Sequence, residues 1–226
     1  MTTRLFAICI EARRPRELAS FWAGLLGWKA AEDDPLLLLP EDDRGIPVWF
    51  VPTGKVKAGP NTTHFDLTSG SAEEQLRTVE RALALGGRHA DVGQKGDEGH
   101  VVLADPEGNE FCVIEPGNNF LAGCGAVGAV NCDGSREAGH FWSTALGWPL
   151  VWDQDEETAI QSPGGGSKVT WSGPPLTPRS GKDLFLAVAV DGPEDLERLR
   201  EAGASRVDDA TMADPDGSEF SVLTRP

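Results

Sequence analysis

The sequence predicts an α+β chain made of two tandem copies of one domain, each copy built from two strand-helix-strand-strand-strand units. Two repeated strings carry most of that prediction. FWAGLLGW, Phe21 to Trp28, returns as FWSTALGW, Phe141 to Trp148, and DPEGNEF, Asp105 to Phe111, returns as DPDGSEF, Asp214 to Phe220. Two unlike strings recurring in the same order mark a duplication. The copies are set at residues 1–117 and 124–226, with a connection at residues 118–123. The third observation is the switching of apolar period between two, for strands, and 3.6, for helices, in the same sequence within each unit.

Arg4 to Glu11 alternates Phe6, Ile8 and Ile10 on one face with Ala7, Cys9 and Glu11 on the other, which is a strand with two unlike faces. Pro15 suits a first helical turn. Leu18, Phe21, Trp22, Leu25 and Leu26 then follow at helical spacing before Gly27, so an amphipathic helix with a glycine stop is expected. Apolar runs at Trp28 to Ala31, Leu36 to Leu39 and Val48 to Val51 read as strands, and Gly54 to Asn61 as a loop. His64 to Leu67 is the next strand. Ser71 opens a helix with Glu74 three residues on as a capping box, and Leu76, Val79 and Leu83 form its expected buried stripe before Gly86 and Gly87. Strands follow near Arg88 to Ala90, Val101 to Ala104 and Glu110 to Ile114, the last two joined by Asp105 to Gly108, whose Asp, Pro and Gly suit a type I turn.

The second copy repeats the plan. Strands are expected at Ala126 to Val130, Leu150 to Asp153, Ala159 to Gln161, Val169 to Ser172 and Leu184 to Val190. Helices are expected at Ser135 to Leu146 and Pro193 to Ala202. Gly164 to Gly166 lacks the Gly-Lys-Ser/Thr of a phosphate-binding loop and reads as a hairpin loop.

Composition narrows the function. The chain of 226 residues is 39% hydrophobic, enough for two domains of roughly 110 residues with their own cores. A formal charge of −16 without a basic run argues against nucleic acid and anionic membrane surfaces as partners. The longest apolar run, Leu36 to Leu39, is far short of the roughly 18 residues a membrane span needs, and with no leader pattern at the start a cytoplasmic protein is expected. Cys9, Cys112, Cys124 and Cys132 show no paired spacing of a zinc or dithiol site.

The unit order, the Phe-Trp pair in the first helix, the histidine opening the fifth strand and the DPxGNEF hairpin together resemble the vicinal oxygen chelate superfamily, the group of glyoxalases, bleomycin-resistance proteins and extradiol dioxygenases. FAICIEARRPRELASFW and NTTHFDL are similar to an actinobacterial glyoxalase-like subgroup. The resemblance implies tandem glyoxalase-like domains, each pairing two units into a half-open mixed barrel whose cup binds a small molecule. It also implies that catalytic members hold one divalent metal through His, Gln or Glu on the first, fourth, fifth and eighth strands. Carried over to the first copy, those positions fall on Ala7, Trp49 or Val51, His64 and Cys112. In the second copy they fall on Val127, Trp171, Phe185 and Ser221. Only His64 is a good ligand, so no metal cofactor is expected. The alternative is one iron, manganese, nickel or zinc ion in a different ligand set around His64.

Alternation along strands places His64 with Asp66, and Glu110 with Cys112, on cup-facing sides, and Glu11 can join them from the first strand. Three readings stand for this group: a hydrogen-bonded structural cluster, polar contacts to a small ligand, or acid-base chemistry by His64 and Glu110. The expected site is His64, Asp66, Glu110, Cys112, Trp49 and Glu11, in a polar first cup beside an apolar second one, with Trp49 and Trp171 available to stack on an aromatic ligand. The expected function is metal-independent small-molecule binding of the sequestration or resistance type. The alternative is a lyase, isomerase, hydrolase or dioxygenase using His64 with Glu110 or Asp66. The chain is expected as a monomer of two packed domains or as a homodimer.

Overall fold

The computed structural model describes residues 3–42, 44–95, 98–174, 176 and 184–224; the outermost residues of the two copies, 1–2 and 225–226, lie outside this set. The first unit runs β1 (Arg4–Ala12), α1 (Pro15–Leu26), β2 (Lys29–Ala30), β3 (Leu37–Leu39) and β4 (Val48–Pro52). The second runs β5 (Thr63–Leu67), α2 (Ala72–Ala84), β6 (Arg88–His89), β7 (Val101–Ala104) and β8 (Glu110–Val113). The third is β9 (Val127–Cys132), α3 (Arg136–Leu146), β10 (Leu150–Gln154), β11 (Glu157–Gln161) and β12 (Lys168–Trp171). The fourth is β13 (Leu184–Val190), α4 (Pro193–Glu201), β14 (Ser205–Arg206), β15 (Thr211–Ala213) and β16 (Glu219–Thr224). The chain is thus α+β, with the expected four-unit plan. No helix among the described residues is long and apolar enough to cross a membrane.

Local chemistry explains the helix ends. Pro15 opens α1, and Gly27 closes it at φ 75°, a left-handed conformation in which a side chain is strained. The Ser71 hydroxyl accepts from the Glu74 N–H at the start of α2, while Glu74 reaches back to the Gly70 N–H at 2.7 Å. The expected stripe of α2 is displaced, because Leu76 and Leu83 are exposed and Val79 and Ala82 are buried instead. A small face lets this helix lie close to its sheet, and the leucines flank it.

The two repeated strings meet in space. Trp22 Nε1–H of α1 donates to Asp105 Oδ2 in the DPEG turn at 3.2 Å, and Trp142 of α3 makes the same bond to Asp214 at 3.2 Å. Both indoles are buried. Asn109 Nδ2–H also donates to Asp105, and turn N–H groups donate to both carboxylates. Burial nonetheless raises the Asp105 pKa above the ordinary carboxylate range, against the bonds from Asn109 and Trp22 that lower it. A second carboxylate of the turn clamps the helix start. Glu107 accepts from the Arg13 and Arg14 N–H groups ahead of α1, and Asp216 accepts from the Ser135 N–H and hydroxyl ahead of α3. The hairpin string is therefore also a helix-anchoring device.

The strands form two eight-stranded mixed sheets. Sheet I has the order β14-β15-β16-β13-β1-β4-β3-β2, and sheet II the order β10-β11-β12-β9-β5-β8-β7-β6. Each sheet therefore joins one unit of the first copy to one unit of the second: first with fourth, second with third. The expectation that each copy pairs its own two units into one half-open barrel is corrected here. The aromatic pair of α1 gives the reason. α1 packs on β1, β3 and β4 of sheet I, while Trp22 lies 5.3 Å from Phe65 and 5.0 Å from Phe111, on sheet II. With α1 packed between them, the two units of the first copy contribute their strands to different sheets. The edges of β1 and β5 are instead satisfied by β13 and β9, both antiparallel.

Candidate functional site

The face of each sheet turned away from the helices is its cup face. Ile8, Ile10, Phe65 and Leu67 belong to the shared core, so their alternating neighbours on β1 and β5 define that face. On sheet II the pairing register lays out two rows. Cys112, Asp66, Ala129, Lys168 and Gln161 lie side by side on β8, β5, β9, β12 and β11. In the neighbouring row, His64, Asn131, Thr170, Ala159 and Trp152 cross β5, β9, β12, β11 and β10.

Three of the expected residues converge at one end of these rows. A nitrogen of His64, a carboxylate oxygen of Asp66 and the Cys112 sulfur lie within 4.8 Å of one another. His64 Nε2 is 3.5 Å from Asp66 Oδ1, with side-chain exposures of 32% and 14%, so the pair is reachable but well shielded. Burial opposes a charge on the imidazole. Interactions with Asp66 and Cys112 overcome that cost and push the His64 pKa up to about 10, so at neutral pH the ring is an imidazolium.

Glu110 shares the face but is engaged elsewhere. It pairs with Lys57 at 3.0 Å and accepts from the Asn61 N–H at 3.1 Å, while Lys57 also donates to the Gly59 carbonyl. Glu110 thus anchors the loop before β5. Two groups on and beside this face have buried polar atoms without a partner: the Thr170 hydroxyl and both ends of the Asn61 amide. An unsatisfied buried hydroxyl costs about 1–3 kcal/mol, so such atoms point to solvent or ligand as partner.

The connection between the copies folds over the far end of the rows. Lys168 Nζ donates to the Phe120 carbonyl at 2.7 Å, sits 3.4 Å from Cys124 Sγ and lies 5.1 Å from the centre of the Phe120 ring. Phe120 meets Trp152 edge to face at 6.2 Å, and both are partly exposed. Asn131, Thr170, Lys168, Phe120 and Trp152 were not singled out from the sequence. The alternation of Lys168 and Thr170 along KVTW was the available signal, but it names a face only once the sheet partner is known.

Trp49 and Glu11 do not join His64, because both are on sheet I. Trp49 packs edge to face on Phe6 at 5.8 Å and donates to Asp34 at 3.0 Å, and Glu11 pairs with Lys55 at 3.4 Å. Phe185 and Ala187 of β13 lie on the cup face of sheet I against Cys9 and Ala7, where Cys9, Phe185, Ala187, Phe6, Trp49, Val51 and Leu223 form an apolar cluster. Ser221 pairs with Ala187. The apolar cup therefore exists, but Val127 is not part of it. Val127 pairs with Leu67 and is buried in the core of sheet II, and Ala129, paired with Asp66, takes the cup position that answers to Ala7. Trp171 is buried too, beside a cavity of about 170 Å³ between β5 and β13 that it shares with Trp142 and Asp214. It is part of the core rather than a stacking platform.

This layout tests the metal set that the resemblance implies. Around His64 the first-, fourth- and eighth-strand positions of sheet II hold Ala129, Thr170 and Cys112, and those of sheet I hold Ala7, Trp49 and Ser221 beside Phe185. Alanine has no donor, and a threonine hydroxyl is a poor one beside His or Glu. The residues present do not fit the family's ligand set on either sheet.

Known proteins place the fold. Maize glyoxalase I aligns with 99% of this chain and 92% of its own at 13% identity and a TM-score of 0.65. A Bacillus subtilis protein provisionally described as a dioxygenase aligns with 100% and 86% at 16% identity and a TM-score of 0.61. At such identities the likeness is one of fold. No curated protein matches the chain. The profile of the glyoxalase-like domain matches twice, at residues 7–114 and 128–223. With both repeats matched and the four-unit fold in place, the chain belongs to the glyoxalase-like domain family of the vicinal oxygen chelate superfamily.

Proposed function

We propose that the chain is a small-molecule-binding protein of this superfamily, of the sequestration or resistance type, whose ligand sits on the cup face of sheet II and does not depend on the family's metal. The carrying observation is the meeting of His64, Asp66 and Cys112 on a face that runs on through Asn131 to a buried, unpartnered Thr170 hydroxyl. An imidazolium beside a carboxylate gives a ligand's polar end both a donor and an acceptor. Phe120 and Trp152 offer apolar surface to an aromatic part.

Screening chelator-treated protein against aromatic metabolites by thermal unfolding is the test. A ligand that stabilises the metal-free chain supports the reading, by about 2.7 kcal/mol at a hundredfold excess over Kd. Stabilisation seen only after adding a divalent ion contradicts it.

A second reading is an enzyme of the same superfamily, a lyase, isomerase, hydrolase or dioxygenase. It draws on the same closeness of nitrogen, oxygen and sulfur donor atoms, a set unlike the family's. About one equivalent of iron, manganese, nickel or zinc in protein purified without chelator, lost in His64→Ala, favours that reading over the first.

A further inference from the structure

Cys112 is placed unlike the other cysteines. Cys9 and Cys132 are buried, and Cys124 opens the second copy just after the connection, with its sulfur beside Lys168. Cys112 is half-buried on the cup face of β8, its sulfur within 4.8 Å of a His64 nitrogen and an Asp66 oxygen. Asp66 in turn holds His64, Oδ1 to Nε2, at 3.5 Å. A thiol beside an imidazole that is itself oriented by a carboxylate is an arrangement that activates a nucleophile. The imidazolium stabilises the thiolate that forms when the thiol proton leaves to solvent, and the carboxylate fixes the ring and balances its charge. On sheet I the matching positions are Ser221, Phe185 and Ala187, which can do none of this.

We propose that Cys112 is a nucleophilic thiol that captures α,β-unsaturated carbonyl compounds by covalent addition at this site. The inference rests on the reading of the sheet II face as the ligand site and adds a chemical class to it. In the step, the sulfur lone pair forms an S–C bond to the β-carbon while the π pair of the C=C bond moves onto the carbonyl as an enolate. The thiol proton goes to solvent, the His64 imidazolium gives a proton to the α-carbon, and the ring is reprotonated from solvent. Nothing leaves and nothing is oxidised, so neither a metal nor a redox partner is required. A soft sulfur nucleophile selects the conjugated carbon over the harder carbonyl carbon. Asn131, opposite His64, and the Thr170 hydroxyl next to it line the row along which the rest of such a ligand lies.

N-ethylmaleimide, itself an α,β-unsaturated carbonyl compound, is the probe. Wild-type protein is treated with one equivalent at neutral pH and the labelled cysteines are mapped by mass spectrometry over time. Cys112 is expected to react before Cys124. His64→Gln should slow Cys112 at least about tenfold, in line with the loss of a positioned cation beside the sulfur, and Asp66→Asn should slow it less. The other cysteines of the same molecules are the reference: a variant that merely loosened the fold would label Cys9 and Cys132 faster, whereas the proposal requires their rates to hold. Cys112 reacting no faster than Cys124, or at an unchanged rate in His64→Gln, overturns the proposal. Reversible ligand binding with an inert Cys112 leaves the site reading standing and removes only this inference. A reactive Cys112 in a chain that no screened metabolite stabilises does the reverse.

Discussion

Laid over one another by their strand pairing, His64, Asp66 and Cys112 of sheet II answer to Phe185, Ala187 and Ser221 of sheet I, and Thr170 answers to Trp49. The backbone scaffold is the same in both places and the chemistry is not. One cup face carries an imidazole, a carboxylate and a thiol, while the other is packed with Phe6, Trp49 and Phe185 around Cys9. Away from the cups the two copies agree closely, down to a Trp–Asp bond of 3.2 Å in each. Duplication thus separates two kinds of constraint. Groups that hold a helix to its hairpin are kept in both copies, while the imidazole, carboxylate and thiol of one cup face have no like counterparts on the other. His64 and Asp66, whose counterparts are Phe185 and Ala187, are not required by the common scaffold and are open to the demands of a ligand.

The largest effects should come from what the copies share. Trp22→Ala and Trp142→Ala each remove a buried indole and leave a buried carboxylate short of a donor, and each should cost about 3–5 kcal/mol in denaturant unfolding. Costs that differ severalfold between the two would break the equivalence of the copies.

The cups should then behave oppositely. Phe185 is 6% exposed in the apolar cluster, so Phe185→Ala should lower stability by about 3 kcal/mol. His64→Ala should cost much less above about pH 10, where the charge on the ring no longer contributes. Equal costs would mean that the polar cluster is there for stability alone.

The pH dependence sharpens the electrostatic side. The folded-state pKa of His64 is raised from 6.5 to about 10, so the folded chain holds this proton more tightly than the unfolded one. The stability this contributes is complete below about pH 6.5 and is lost as pH rises through about 10. The stability difference between wild type and His64→Gln should therefore shrink steadily across that window. A difference that grows with pH would mean that the ring is neutral in the folded protein.

Much of this was legible in the sequence, though unevenly. The Phe-Trp and DPxG strings announced the duplication because they are partners, each fixing the other through the Trp–Asp bond. Strand alternation placed His64 with Asp66 and brought in Cys112, since period two states which face a side chain takes. It does not state which edge a strand pairs through, and so Trp49 and Glu11 were set beside His64 although they lie on the other sheet. Counting back from the helix failed at Val127 for a local reason. The path from the cup position to the helical phenylalanine is shorter in the second copy, Ala129 to Phe141 against Ala7 to Phe21. Asn131, Thr170 and Lys168 stayed hidden because their link to His64 runs through the β9–β5 pairing, which joins one copy to the other.

The most direct test of the central claim, that the polar face of sheet II is the ligand site, is affinity measured on two matched variants. With the metabolite that most stabilises the metal-free wild type, His64→Ala should weaken binding by about ten- to a hundredfold, the loss of a charged hydrogen bond, while Phe185→Ala should bind as wild type at a temperature where it stays folded. Unchanged affinity in His64→Ala together with lost binding in folded Phe185→Ala would place the ligand on sheet I and contradict the account.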